Sequence, residues 1–344
     1  MVRPVTGAGT AGVVVGGVML AALLGTSDAP NASAALVSAR AGPYRRVLAW
    51  SVGWHLVGGL LAGTAVARTV VGLVHVRPGQ LDPVLAAASF GSVVFTWIMT
   101  RRGLPVSASV GLVGGLAGAG VVAGGWSAVS WGHVPHGLEV PGVAGVLAGV
   151  VIAPVLGGVV AGAMALPVRR LSRRLRRPAH RAVDVGVWLA AAAVAVADGT
   201  NDGQKAMGVL AAGLSGVSAV QPGGTGIAWW IRIVCATVLA VGTVVGGRRL
   251  VQTVARGLAP AGPTDDLVAQ VASAGIIFAG AVGGLPLSTS TVTTSARVGT
   301  GLVGRRRHVR WQGVMRILVT WVVTVPACGL LGAGLFEVWR MAGT

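Results

Sequence analysis

Gly199-Thr200-Asn201-Asp202-Gly203-Gln204-Lys205-Ala206 stands inside an apolar run from about 185 to 213. A run of that length can cross the ~30 Å of a bilayer's hydrocarbon. Each ionisable group placed there costs ~2.5–3.5 kcal/mol on insertion scales, so it needs a partner or a task. Lys205 is the only lysine in the chain and follows Asp202 by three positions, which puts both on one face of a helix. It can neutralise Asp202, or it can attract an anion or respond to a proton.

The motif has a counterpart. Gly25-Thr26-Ser27-Asp28-Ala29-Pro30-Asn31-Ala32 matches it at Gly, Thr, Asp and Ala, four positions of eight. A second pair follows in the same order: GLPVSASVGLVGGLAGAG at 103–120 and GLPLSTSTVTTSARVGTG at 284–301, identical at seven of eighteen positions. Asp28 precedes Pro105 by 77 residues and Asp202 precedes Pro286 by 84. Gly-Leu-Pro interrupts a helix and frees backbone groups. The hydroxyls after it, Ser107 and Ser109 in one copy and Ser288, Thr289, Ser290 and Thr291 in the other, then sit at new helix starts, where N–H groups and the helix dipole favour oxyanions. Among the nine acids, Asp28, Asp198 and Asp202 lie away from span ends. Carboxylates in one motif pair and hydroxyls in the other suit joint handling of a cation and an oxyanion.

Outward from these motifs, the composition fixes the class. Of 344 residues 53% are hydrophobic, 10% are charged and 56 are glycine. A soluble domain would have about a quarter charged, and disorder needs low hydrophobicity. About ten apolar stretches can be drawn, near 8–27, 47–73, 82–100, 104–126, 140–166, 185–213, 227–247, 267–283, 285–303 and 313–336. The net charge of +18 comes from arginines clustered between the stretches, as the positive-inside rule requires, so nucleic acid is not an expected partner. With the run Arg169 to Arg181 in the cytoplasm, ten crossings place the other arginine clusters there too and both termini outside; loops 127–139 and 214–226 carry no Arg or Lys. Cys235 and Cys328 lie in apolar runs and read as packing residues.

The expected fold is therefore an all-α integral membrane protein. It has about ten membrane-embedded segments in two inverted-topology repeats, with broken or re-entrant helices at the signature motifs. The first repeat is 1–166, an Arg-rich cytoplasmic linker is 167–184, and the second repeat is 185–344. Five stretches per half force the second half to enter the membrane inverted, an arrangement common in secondary transporters.

The four motifs, in order, resemble the signatures of the inorganic phosphate transporters of the PiT family, over about residues 20–125 and 195–303. The resemblance implies a helical carrier, not an enzyme, that moves phosphate with Na⁺ or H⁺ across the cell membrane, the inner membrane in a bacterium. It implies cation-coupling roles for Asp28, Asn31, Asn201 and Asp202, and phosphate-binding roles for Ser107, Ser109, Ser288, Thr289 and Ser290. Lys205 and Asp198 are candidate anion or proton partners. No cofactor and no fixed structural metal are implied; a divalent metal can travel with phosphate, and a homodimer is left open. The G-Q-K variant at 203–205 favours H⁺ over Na⁺. The sequence departs from the family pattern at Val110 and Thr291, where histidine is frequent, at Ser27, where asparagine is usual, and at Asp198, where bacterial relatives often have histidine. Two alternatives share the scaffold: a permease for sulfate or another oxyanion, and a degenerate carrier that no longer transports. An intramembrane aspartyl protease would pair Asp28 with Asp202, but it leaves the paired hydroxyl motifs without a role.

Overall fold

The computed structural model describes residues 7–77, 79–102, 104, 106–132, 142–172, 178–215, 220, 226–246, 251, 262–304 and 311–342. Among them the chain is helical, apart from a single antiparallel bridge between Val74 and Val129. The helices are α1 (Gly7–Ser38), α2 (Tyr44–Leu60), α3 (Ala65–Val71), α4 (Leu81–Arg101), α5 (Ala108–Gly124), α6 (Gly142–Ser172), α7 (Pro178–Ser215), α8 (Trp229–Val245), α9 (Pro263–Val282), α10 (Thr289–Gly304) and α11 (Trp311–Ala342).

Six of these, α1, α4, α6, α7, α9 and α11, are long and apolar enough to cross a membrane, and the bent pair α2–α3 makes a seventh. Helices α5, α8 and α10 have 17, 17 and 16 residues and reach only about 24–26 Å at 1.5 Å per residue. The ten hydropathy stretches correspond to elements in order, but they are not ten full-length crossings. The stretch 47–73 bends by 74° between α2 and α3. Its loosened backbone finds partners: Val66 N–H donates to Gln204 Oε1 at 2.8 Å, and the Ala62 carbonyl accepts from Arg232. A break in a span is tolerated when protein groups replace the lost helical bonds.

The other breaks fall between α4 and α5 and between α9 and α10, whereas both Asp motifs run inside continuous helices. Helix α5 folds back on α4: Ser92 Oγ donates to the Ala108 carbonyl at 2.8 Å and Gln80 Nε2 to the Ala123 carbonyl at 3.1 Å. Helix α10 folds back on α9 likewise, with Arg297 midway along α10 paired to Asp266 in the first turn of α9 at 2.6 Å. The base of α9–α10 is clamped by Arg169, which grips Asp265 at 2.7 and 2.8 Å and the Thr300 carbonyl at 2.9 Å. That end also gathers the starts of α2 and α7, where Trp50 Nε1 donates to the Trp188 carbonyl at 3.0 Å. Arg45, Arg46, Arg169, Arg170 and Arg181 lie on the elements meeting there. Positions 173–177, 248, 249, 256 and 305–310 of the arginine clusters, and most of the loops 127–139 and 214–226, lie outside the described residues.

Helix packing comes in matched pairs. Helix α1 packs on α8 as α7 packs on α2, α1 on α4 as α7 on α9, and α5 on α11 as α10 on α6. Close approaches are made by glycines at equivalent motif positions. A Cβ at Gly25 would run into the Leu239 backbone, and one at Gly199 into the His55 backbone; Gly118 lies on Gly329 as Gly299 lies on Gly158. Without Cβ atoms the backbones can touch, and van der Waals packing becomes the main force between helices in lipid. The outer faces are apolar: Val151, Val155, Val159 on α6 and Val322, Leu330 on α11 are exposed, as a lipid-facing wall requires.

These crossings yield a prediction. Gly118→Ala and Gly299→Ala each force two backbones apart and should destabilise by roughly 1–3 kcal/mol, the usual range for overpacking. Gly275→Ala meets nothing within 4 Å and should be neutral or gain up to ~1 kcal/mol from helix propensity. Thermal unfolding of the purified variants in detergent checks the ordering.

Candidate functional site

Helices α1 and α7 pack against each other and carry the two Asp motifs. Where they meet, Asp28 and Asp202 are 5% and 1% exposed. The start of α10 lies between them. Asp28 Oδ1 accepts hydrogen bonds from Ser290 Oγ at 2.6 Å, Thr289 Oγ1 at 2.9 Å and Asn31 Nδ2 at 3.1 Å. Thr289 Oγ1 also lies 3.3 Å from Asp202 Oδ2. A hydroxyl has one proton to give, so Thr289 can serve only one ionised carboxylate at a time.

The start of α5 approaches from the other hairpin. Lys205 Nζ donates to Ser109 Oγ at 2.6 Å, to the Leu287 carbonyl at 2.8 Å and to Asp202 Oδ1. Lys205 is fully buried, and its three contacts join α7 to the tips of both hairpins. Val110 N–H of α5 is taken by Ser107 Oγ and Thr291 N–H of α10 by the Ser288 carbonyl, and the positive ends of both helix dipoles lie beside the carboxylates.

Seven expected site residues thus share one cluster: Asp28, Asn31, Ser109, Asp202, Lys205, Thr289 and Ser290. The others sit at its margin. Asn201 Nδ2 donates to the Leu285 carbonyl at 3.1 Å, fastening α7 to the break before α10. Ser107 is the N-cap of α5, its Oγ accepting from Val110 N–H at 3.3 Å, and Ser288 Oγ bonds Thr291 Oγ1. Those two hydroxyls shape the helix starts. Within the cluster, hydroxyls and carboxylates bond one another.

Asp198, one turn before Asp202 on α7, is fully buried, and its Oδ2 lies 3.7 Å from Nε2 of the equally buried His55 on α2. His55 Nδ1 is 2.7 Å from the Ser51 carbonyl, which assigns the Nδ1 proton and turns Nε2 toward Asp198. His55 escaped the sequence reading, which weighed acids and lysine; a lone histidine within an apolar stretch was the available signal. Two further residues were missed. Gln270 of α9 donates to the Asn31 carbonyl at 3.0 Å, and Thr293 of α10 donates to Asn31 Oδ1 at 3.0 Å, so both brace Asn31. Asp266, a span-end acid expected to be reached by water, is buried against Arg297.

The phosphate transporter family model matches residues 24–332. Proteins described as probable low-affinity inorganic phosphate transporters are similar over most of the chain. That of Mycobacterium bovis is 33% identical over 323 residues, 93% of this chain and 75% of the relative. That of Rhizobium meliloti is 31% identical over 324 residues, 90% of each. That of Bacillus subtilis is 28% identical over 320 residues, 92% and 93%. A solved structure described as the sodium-dependent phosphate transporter superposes with a TM-score of 0.83, covering 97% of this chain and 99% of that one at 20% identity, a likeness of fold.

The His55–Asp198 pair is testable through stability. His55→Leu leaves a buried carboxylate without its partner and should cost on the order of 3 kcal/mol, whereas the double variant His55→Leu/Asp198→Leu should recover most of the loss. A double-mutant cycle of thermal unfolding measures the coupling.

Proposed function

We propose that this chain, which belongs to the phosphate transporter family, is a secondary carrier that moves inorganic phosphate across the cell membrane with a coupled cation, H⁺ in preference to Na⁺. The observation that carries this reading is the Thr289 hydroxyl set between Asp28 and Asp202. Two buried carboxylates share hydroxyl donors that an arriving oxyanion would also use. While the carboxylates are ionised, they hold those donors and repel an anion through a medium of low dielectric constant. A proton or cation on Asp28 or Asp202 weakens their claim, and Ser109, Thr289 and Ser290 become free to donate to phosphate. Cation and phosphate then favour each other's binding, and linkage makes the effect reciprocal. A proton fits the Thr289 contact well, because a protonated carboxyl can supply the second hydrogen bond that one hydroxyl lacks.

In this reading Asp28, Asn31, Asn201 and Asp202 handle the cation. Ser109, Thr289, Ser290 and the positive ends of the α5 and α10 dipoles hold the oxyanion, while Ser107 and Ser288 keep those helix starts in shape. The two halves, 1–166 and 185–344, act as inverted repeats around the site, with the Arg-rich segment 167–184 in the cytoplasm. The exchanged helix pairs and the glycine crossings at equivalent positions support that division.

Uptake of labelled phosphate by proteoliposomes tests the proposal. Asp28→Asn and Asp202→Asn should each abolish gradient-driven accumulation, while Asp184→Asn, outside the cluster, should leave it largely intact. Ser109→Ala and Ser290→Ala each remove a hydrogen bond to a charged group, worth roughly 1.5–3 kcal/mol, and should weaken apparent phosphate affinity about ten- to hundredfold. Separate H⁺ and Na⁺ gradients decide the coupling ion; accumulation driven by Na⁺ alone would reverse the choice of H⁺. Competition by sulfate decides the oxyanion.

A further inference from the structure

Lys205 is where the two halves differ most at the site. The motif alignment that pairs Asp28 with Asp202 pairs Asn31 with Lys205. Both residues follow their aspartate by three positions and bond it, and both reach a hydroxyl at a hairpin start: Asn31 Nδ2 to Asp28 Oδ1 at 3.1 Å and Thr289 Oγ1 at 3.2 Å, Lys205 Nζ to Asp202 Oδ1 and to Ser109 Oγ at 2.6 Å. The geometry is repeated; the charge is not. Asp28 is satisfied by neutral donors, whereas Asp202 meets a full positive charge.

The surroundings of Nζ are a hydroxyl oxygen, a carboxylate oxygen and the Leu287 carbonyl, which the break before α10 releases from helical bonding. These are the hard oxygen donors that bind alkali and alkaline-earth cations, and unwound carbonyls of this kind coordinate Na⁺ in transporters built on broken helices. The three N–H groups of the ammonium match the three oxygens. None is left over for an anion.

We infer that Lys205 is a tethered cation: its ammonium fills a monovalent-cation position formed by Ser109, Asp202 and Leu287, and replacing it with asparagine, its repeat counterpart, opens that position to free Na⁺. The inference deepens the symport reading, on which it rests, by stating which cation requirement the chain meets from within. Of the two cation-handling carboxylates, Asp202 is then served by the ammonium of Lys205 and Asp28 by the exchangeable cation, so the number needed per phosphate falls by one relative to a carrier with both positions open.

Lys205→Asn and Lys205→Met are purified beside the unaltered protein, and unfolding temperatures are measured in NaCl and in choline chloride of equal ionic strength. Both variants should gain a Na⁺-specific stabilisation that the unaltered protein lacks. A variant that folds only when prepared in Na⁺ carries the same meaning. Equal response of all three proteins, or variants that fail to fold in either salt, would overturn the inference. This readout needs no phosphate, so it stands apart from the symport reading, whose failure would show as absent uptake by the unaltered protein. In proteoliposomes, uptake by the unaltered protein should proceed without Na⁺ and that by Lys205→Asn should require it; Na⁺-independent uptake by the variant overturns the inference.

Discussion

Three carboxylates, one ammonium and one imidazole lie together in the interior of a membrane protein, and every other feature of the bundle answers to the cost of keeping them there. Isolated, each charge would be prohibitive. Asp28, Asp202 and Lys205 are held by hydroxyls, an amide and a backbone carbonyl, and Asp198 faces His55 at 3.7 Å. The two broken helices deliver the hydroxyls and that carbonyl. The glycine crossings bring α1 and α7 against their partners closely enough for short side chains to meet. Ser290, Thr289 and Asn31 satisfy Asp28 within 3.1 Å.

Much of this was legible in the sequence for a simple reason. The motif pairs recur in the same order at similar spacing, so the residues of the central cluster announce themselves locally: Asp28 and Asp202 by charge within apolar runs, Ser109, Thr289 and Ser290 by their place after Gly-Leu-Pro. What stayed hidden depends on contacts between distant segments. His55 becomes notable only beside Asp198, which is 143 positions away. The bend in 47–73 has no proline to mark it; it persists because Gln204 and Arg232, far along the chain, take up the released backbone groups. Hydropathy marks apolar length and is blind to whether a stretch crosses or folds back, so the hairpin arms were counted with the crossings.

The halves are alike in packing and unlike in chemistry. Equivalent glycines and equivalent helix partners preserve the frame, while Asn31 faces Lys205 and a neutral surrounding for Asp28 faces a charged one for Asp202. His55 adds to the difference, since its counterpart at the equivalent crossing is Leu239. A strictly symmetric site would bind the same ion twice. An asymmetric one can hold one charge permanently and exchange another, which suits a carrier that must release its cargo as readily as it takes it up.

The exchange of partners between halves also sets the order in which the protein can be completed during synthesis. Gly118 on α5 rests on Gly329 of α11, the last helix, 211 residues later. At ~5–20 residues per second of translation, the first hairpin spends roughly 10–40 s with that face uncovered. The second hairpin has no such delay, because its partner α6 precedes it. The first hairpin must therefore tolerate lipid, or the insertion machinery, on a surface of glycine and alanine destined for protein. That small, weakly hydrophobic surface holds nothing tightly in the interval, and it remains free to close when α11 arrives.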